Sequence, residues 1–194
     1  MNFIPLIFCA AAFLMGTIPF GLLIAKLVGV EGLREKGSGN IGASNVSRVA
    51  GFWPAGFFTF LFDLLKGAVP VAIALYKYQI DDALSFSLWM IGLCSVIGHC
   101  YSPWLKFRGG KGVATGFGVW LVLAPIPALM GILAFGLAFA YSRVAAVASL
   151  SGVLFALIAL FGLAPVREFA WPASAIALMI LVRHESNLDA LLDS

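Results

Sequence analysis

Long apolar stretches fill most of this 194-residue chain, and two short polar loops interrupt them. Residues 116–141 contain no Asp, Glu, Lys or Arg at all. A membrane span needs only about 20 apolar residues, so runs this long and this numerous exceed what the core helices of a soluble globule require. Composition agrees, with 62% hydrophobic and 11% charged residues and a mean hydropathy of +1.03. The chain therefore reads as one all-α integral membrane domain over residues 1–194, a bundle of about seven transmembrane helices. No Lys or Arg precedes Lys26, so the first apolar stretch reads as an uncleaved span. A net charge of +3 is too small to imply nucleic acid, and membrane lipids are the expected surroundings.

The apolar pattern predicts helices near 3–28, 52–76, 83–105, 113–124, 127–141, 145–163 and 169–183. Pro125 and Pro127 remove two backbone donors, which predicts a tight turn between the fourth and fifth helices; one long tilted span is the alternative. With seven spans, Lys26, Arg34, Lys36, Arg48, Lys106, Arg108, Lys111, Arg143 and Arg183 share one face, against Lys77 and Arg167 on the other. Nine against two satisfies the positive-inside rule with the N-terminus outside. Fusing the doubtful pair gives eight against three. Both arrangements put the polar loops in the cytoplasm.

The polar loops are where chemistry is expected. The first, GSGNIGASNVSR at 37–48, offers Gly37, Ser38, Gly39, Asn40, Asn45 and Arg48. The second, KFRGGKGVAT at 106–115, offers Gly109, Gly110, Lys111 and Gly112. Glycine allows backbone N–H groups to turn toward an anion, Ser and Asn add neutral donors, and the cations neutralise charge. Together they suggest a site that holds phosphate groups at one face of the bilayer. The blander reading is a pair of hydrophilic turns, with Lys106 and Arg108 anchoring a helix end at the lipid headgroups. The second loop is not a nucleotide P-loop: Leu105 stands where that motif needs Gly, and Gly112 where it needs Ser or Thr.

Asp63 and Lys66 fall inside the second span, about 60° apart around a helix. Charges at that depth cost roughly 2.5–3.5 kcal/mol each on insertion scales, so a supporting ion pair is expected, with His99 nearby. Cys9, Cys94 and Cys100 lack metal-ligand spacing and read as small apolar fillers, and no metal or other cofactor is expected. His184 and Asp189 match a His-x-x-x-x-Asp spacing, but five residues of helix set the two about 140° apart, which argues against a dyad. His184 is either a polar anchor or a donor to phosphate.

Taken in order, GTIPFG at 16–21, the first loop, FDLLKG at 62–67, residues 98–115 and the Arg183-His184 and Asn187-Leu188 pairs resemble the bacterial acyl-phosphate:glycerol-3-phosphate acyltransferase (PlsY) family. The resemblance covers nearly the whole chain. It implies seven helices in the bacterial cytoplasmic membrane and acyl transfer from acyl phosphate to the 1-hydroxyl of glycerol 3-phosphate, giving lysophosphatidic acid. Neither coenzyme A nor acyl carrier protein would be required. By the same warrant Ser38, Arg48, Lys111, His184 and Asn187 map onto the phosphate pocket, with Lys111 and His184 as the catalytic candidates. The chain departs from the family pattern at Ala146, where Ser is usual, and at Ala190, where Arg is usual. It also stops short of a terminal Gly and Glu.

An acyl phosphate is a mixed anhydride with an activated carbonyl, so holding two phosphates and aligning a hydroxyl is most of the task. No nucleophile–base pair stands out, which favours direct transfer. A small transporter or flippase for an anionic solute is the rival from another class. A degenerate relative that binds glycerol 3-phosphate without turnover is the third reading.

Overall fold

The computed structural model describes residues 4–78, 86–163 and 170–187. Nine α-helices occur among them: α1 (Ile4–Gly16), α2 (Phe20–Leu27), α3 (Ala43–Ala50), α4 (Phe57–Tyr78), α5 (Phe86–Cys100), α6 (Val113–Leu123), α7 (Pro125–Ser142), α8 (Ala145–Leu163) and α9 (Ala170–Val182). No strand is found among the described residues. Four segments are long and apolar enough to cross a membrane: Pro5–Leu27, Phe52–Lys77, Pro125–Ser142 and Ala145–Leu163.

The first apolar stretch is not the continuous helix expected over 3–28. It breaks at Thr17, Ile18 and Pro19, where proline has no N–H to give and crowds the preceding turn. Freed carbonyls inside a bilayer must find donors. Here Lys66 Nζ donates to Ile18 O at 2.9 Å and Ser102 Oγ to Thr17 O at 2.8 Å. The expected third helix, 83–105, likewise stops at Cys100, and a short 3₁₀ turn at Pro103–Leu105 follows. Its first expected residues lie outside the described ones. The Pro125/Pro127 turn forms as expected, but α7 begins at Pro125 itself, because proline suits the first position of a helix.

Helix packing relies on close backbone approach. A Cβ on Gly67 would lie 2.0 Å from Thr115 O, and one on Gly118 would lie 2.1 Å from Leu64 O, so α4 and α6 touch through glycine. Gly16 against Ser95 O and Gly98 against Phe13 O do the same for α1 and α5. Without a hydrophobic force between helices in lipid, such small-residue contacts provide much of the packing. The α5 and α6 helices are well enclosed, with every residue from Thr115 to Trp120 of α6 buried. Large apolar side chains such as Leu6, Leu133, Leu154 and Leu178 point outward, as a lipid-facing surface requires. Both glycine loops and the end of α9 gather at one end of the bundle, where they line a common cavity.

Candidate active site

The first glycine loop is built around one buried side chain. Asn45 at the start of α3 is only 1% exposed. Its Nδ2 donates to Asn40 O at 2.8 Å and to Lys36 O at 3.1 Å, and its Oδ1 accepts the Ser38 N–H at 2.8 Å. Gly37 and Gly39 adopt φ of 59° and 69°, and a Cβ on Gly37 would lie 2.2 Å from Asn45 Oδ1. The sequence places Asn45 among substrate contacts; the structure instead commits its polar atoms to the loop. Asn40 Oδ1 similarly accepts the Gly42 N–H at the start of α3. What the loop leaves facing the cavity is Ser38, Gly39, Asn40 and Ile41.

The second loop departs from expectation in a different way. Three of its amides are committed within the protein: Arg108 N–H donates to Leu105 O, Gly109 N–H to Cys100 O and Gly110 N–H to His99 O. The Gly109 and Gly110 bonds turn those two donors inward onto the end of α5. Gly110 rests on the His99 ring, where a Cβ would lie 2.1 Å from Nε2. The loop's carbonyls are capped from elsewhere. Arg34 Nη2 donates to Arg108 O at 2.7 Å, while Arg183 donates from Nη2 to Gly109 O at 2.9 Å and from Nε to Gly110 O at 3.1 Å. The Arg183 guanidinium also sits 5.4 Å over the Tyr101 ring.

Below the loop lies the expected supporting cluster. Lys66 Nζ is 2.8 Å from Asp63 Oδ1, and His99 Nδ1 is 3.6 Å from the same oxygen. Thr115 Oγ1 donates to Asp63 O. These buried groups thus connect the α1–α2 break, α4, α5 and α6. None of the three charged or ring side chains lines the cavity.

The cavity holds about 520 Å³ and is lined from three segments of the chain. Among the described residues, Arg34, Arg108, Lys111 and Arg183 set four cations against the carboxylate of Glu185. Lys111 Nζ donates to Asn187 Oδ1. Burial, and then the nearby Arg183 charge, lower the Lys111 pKa. A phosphate dianion entering here would relieve that repulsion and keep the ammonium charged.

His184 is 2% exposed and lies just past the end of α9, behind the lining. Its Nδ1 lies 2.7 Å from Ile180 O. A carbonyl can only accept, so Nδ1 carries a proton and Nε2 of the neutral ring is an acceptor. Burial lowers the His184 pKa first; the Ile180 bond opposes this, and the charges of Lys111 and Arg183 add to it. A neutral His184 therefore cannot donate from Nε2 to a phosphate.

Of the residues proposed from sequence, Ser38, Gly39, Asn40, Gly109, Lys111 and Asn187 line the cavity, whereas Gly37, Asn45, Gly110, Gly112 and His184 build its frame. Arg48 is exposed on α3, its Cδ against Gly37, outside the lining. Sequence reasoning missed Arg34, Arg108, Arg183 and Glu185 as lining residues. Arg108 and Arg183 had a local signal, their places in the quoted second loop and terminal motif. Of the two departures from the family pattern, Ala146 is buried in the first turn of α8, and Ala190 lies outside the described residues.

Fold and site together define a multi-pass helical membrane protein with a strongly cationic, solvent-open cavity at one end of its bundle. The family model described as glycerol-3-phosphate acyltransferase matches residues 6–194. A glycerol-3-phosphate acyltransferase from Anaeromyxobacter sp. (strain Fw109-5) is 39% identical over 190 residues, spanning 96% of this chain and 92% of the relative. One from Aquifex aeolicus (strain VF5) is 40% identical over 181 residues, spanning 93% and 92%. The crystal structure of PlsY (YgiH), an integral membrane glycerol 3-phosphate acyltransferase, in its glycerol 3-phosphate form superposes with a TM-score of 0.90 at 38% identity, covering 97% of this chain and 92% of that one. Its lysophosphatidic acid form gives 0.88 at 37% identity over the same shares. This chain belongs to the glycerol-3-phosphate acyltransferase family.

Proposed function

We propose that the cationic cavity holds the phosphate of glycerol 3-phosphate while the 1-hydroxyl attacks the carbonyl of an acyl phosphate. The observation that carries this reading is the convergence of Ser38, Lys111 and Asn187, from three separate segments, on one cavity with four cations. A relative of the same fold has been solved in glycerol 3-phosphate and lysophosphatidic acid forms, the substrate and product of this reaction. The new ester C–O bond forms as the acyl carbon–oxygen bond of the anhydride breaks. Inorganic phosphate leaves, and a phosphate oxygen accepts the hydroxyl proton.

Lys111 acts as a point charge on the phosphate, and Ser38 and Asn187 orient it through neutral hydrogen bonds. Arg48 joins them by swinging past Gly37. His184 contributes as imidazolium, the form that an adjacent dianion stabilises against the effect of burial. Acyl phosphate activation makes coenzyme A and acyl carrier protein unnecessary as donors. Polar lining at the bundle's end, with Asp63 and Lys66 paired and buried at helix depth, fits an acyltransferase better than a transporter.

Radiolabelled glycerol 3-phosphate and acyl phosphate supplied to proteoliposomes should yield a labelled lipid. Uptake without lipid product would establish the transporter instead, and binding without product the degenerate relative. The same reading takes seven spans, with α1 and α2 as the first and α4 to α9 as the rest. The site then faces the cytoplasm of the bacterial inner membrane. A single cysteine at the exposed Ser44 in a Cys-free background should resist an impermeant thiol reagent from outside the cell; labelling there would overturn the orientation.

A further inference from the structure

Three consecutive carbonyls of the second glycine loop are capped by arginines that arrive from outside it. Arg34 takes Arg108 O, and Arg183 takes both Gly109 O and Gly110 O. We propose that Arg34 and Arg183 are positioning residues, a two-arginine clamp that fixes the second loop in the register where Lys111 meets Asn187.

The loop has reason to need such a clamp. Lys106, Phe107 and Gly112 occupy left-handed backbone conformations, and glycines at 109 and 110 add conformational freedom that ordering must overcome. Amide bonds to Leu105, His99 and Cys100 hold its inner edge. Its outer carbonyls border a cavity built for anions, where uncapped oxygens would present partial negative charge to a phosphate. Arg34 serves both loops at once: its side chain holds Arg108 O, and its own carbonyl lies where a Cβ on Gly39 would approach to 2.9 Å. It thereby sets the spacing between the two loops.

The two arginines differ in what can replace them. Arg34 makes one hydrogen bond to the loop, which a lysine ammonium can supply. Arg183 uses two N–H groups in a fork and lays its flat face on Tyr101, which lysine cannot reproduce. So Arg34→Lys should be tolerated and Arg183→Lys should not.

The test uses the full chain in lipid nanodiscs, with amide hydrogen exchange measured before any substrate is added. Arg34→Ala should speed exchange across 106–112 while leaving α5 and α6 as they were. Its KM for glycerol 3-phosphate should rise about tenfold with a smaller fall in kcat. Arg34→Lys should bring both values back near the parent, whereas Arg183→Ala and Arg183→Lys should both loosen the loop. If Arg183 variants fail to fold, the Arg34 pair decides alone. Unchanged exchange in the empty Arg34→Ala protein, with KM raised, would overturn the clamp and make Arg34 a direct ligand. The kinetic arm rests on the acyl-transfer reading, but the exchange arm does not. Faster exchange in the variants of a parent that makes no lipid would support the clamp and sink only that reading.

Discussion

The glycine loop at 37–42 and the glycine loop at 106–112 share a composition but are held by opposite means. The first is organised by a neighbour in sequence, Asn45, which gathers the Ser38 amide and the carbonyls of Lys36 and Asn40. The second is organised by residues far from it, with Arg34 and Arg183 separated from the carbonyls they cap by 73 to 74 positions. The first loop therefore forms as a local unit. The second has local amide bonds along its inner edge, but its outer carbonyls gain their caps only when the helix bundle closes. That difference suits their contents, because Lys111 must be aimed at Asn187 on another segment, while Ser38 needs only a rigid perch.

Removing the functional group of the second loop should have the largest effect. Lys111→Ala should lower kcat/KM about ten- to hundredfold, as loss of a charge-assisted bond worth roughly 1.5–3 kcal/mol leaves phosphate and Asn187 poorly matched. Thermal stability in detergent should hardly change. Arg48→Ala, starting from an exposed side chain outside the lining, should cost less in a steady-state assay. Equal losses would show that both loops contribute equally to phosphate capture.

The organising residue of the first loop should behave in the reverse way. Asn45→Ala removes several hydrogen bonds at a buried position, and a stability loss of about 2–3 kcal/mol is expected. Activity should fall because the loop loosens, so hydrogen exchange over 37–42 should rise along with it. A stable Asn45→Ala protein with a rigid loop and raised KM would return Asn45 to the substrate contacts.

Alanine at a glycine separates the two designs at finer grain. Gly37→Ala meets both Asn45 Oδ1 and a φ of 59°, and shrinking the neighbour cannot remove the backbone strain. Gly110→Ala meets only the His99 ring, so His99→Ala should restore part of the expression and thermal stability it loses. Rescue at Gly37 by Asn45→Ala, and none at Gly110, would invert the comparison.

The smallest effect expected is on pH dependence. His184 titrates below its unfolded value of about 6.5 because burial disfavours its charge. The unfolded chain then binds more protons near and below pH 6.5, so apparent stability should fall modestly as pH drops through that range. Melting curves of the parent and His184→Gln should converge at pH 8 and separate at pH 5.5. Gln retains a donor, so substantial turnover in that variant would support phosphate donation, and a dead one would favour a general base.

The class of protein and the place of the chemistry were legible in the residues themselves. Apolar run length, the position of Pro125, and glycines beside Ser, Asn and Lys are local properties, and local properties dictate spans, turns and loops. The same holds for the Asp63–Lys66 pair, whose i,i+3 spacing joins them on any helix. Other features required the tertiary structure. The break at Pro19 is tolerable because Lys66 and Ser102 arrive to cap its carbonyls. Likewise, the carbonyls of Arg108, Gly109 and Gly110 are capped only because Arg34 and Arg183 arrive from distant segments. Sequence patterns show which groups a segment carries. Which of those groups is left for a substrate depends on every donor and acceptor that packing brings within about 3 Å, and that is settled only when distant helices meet.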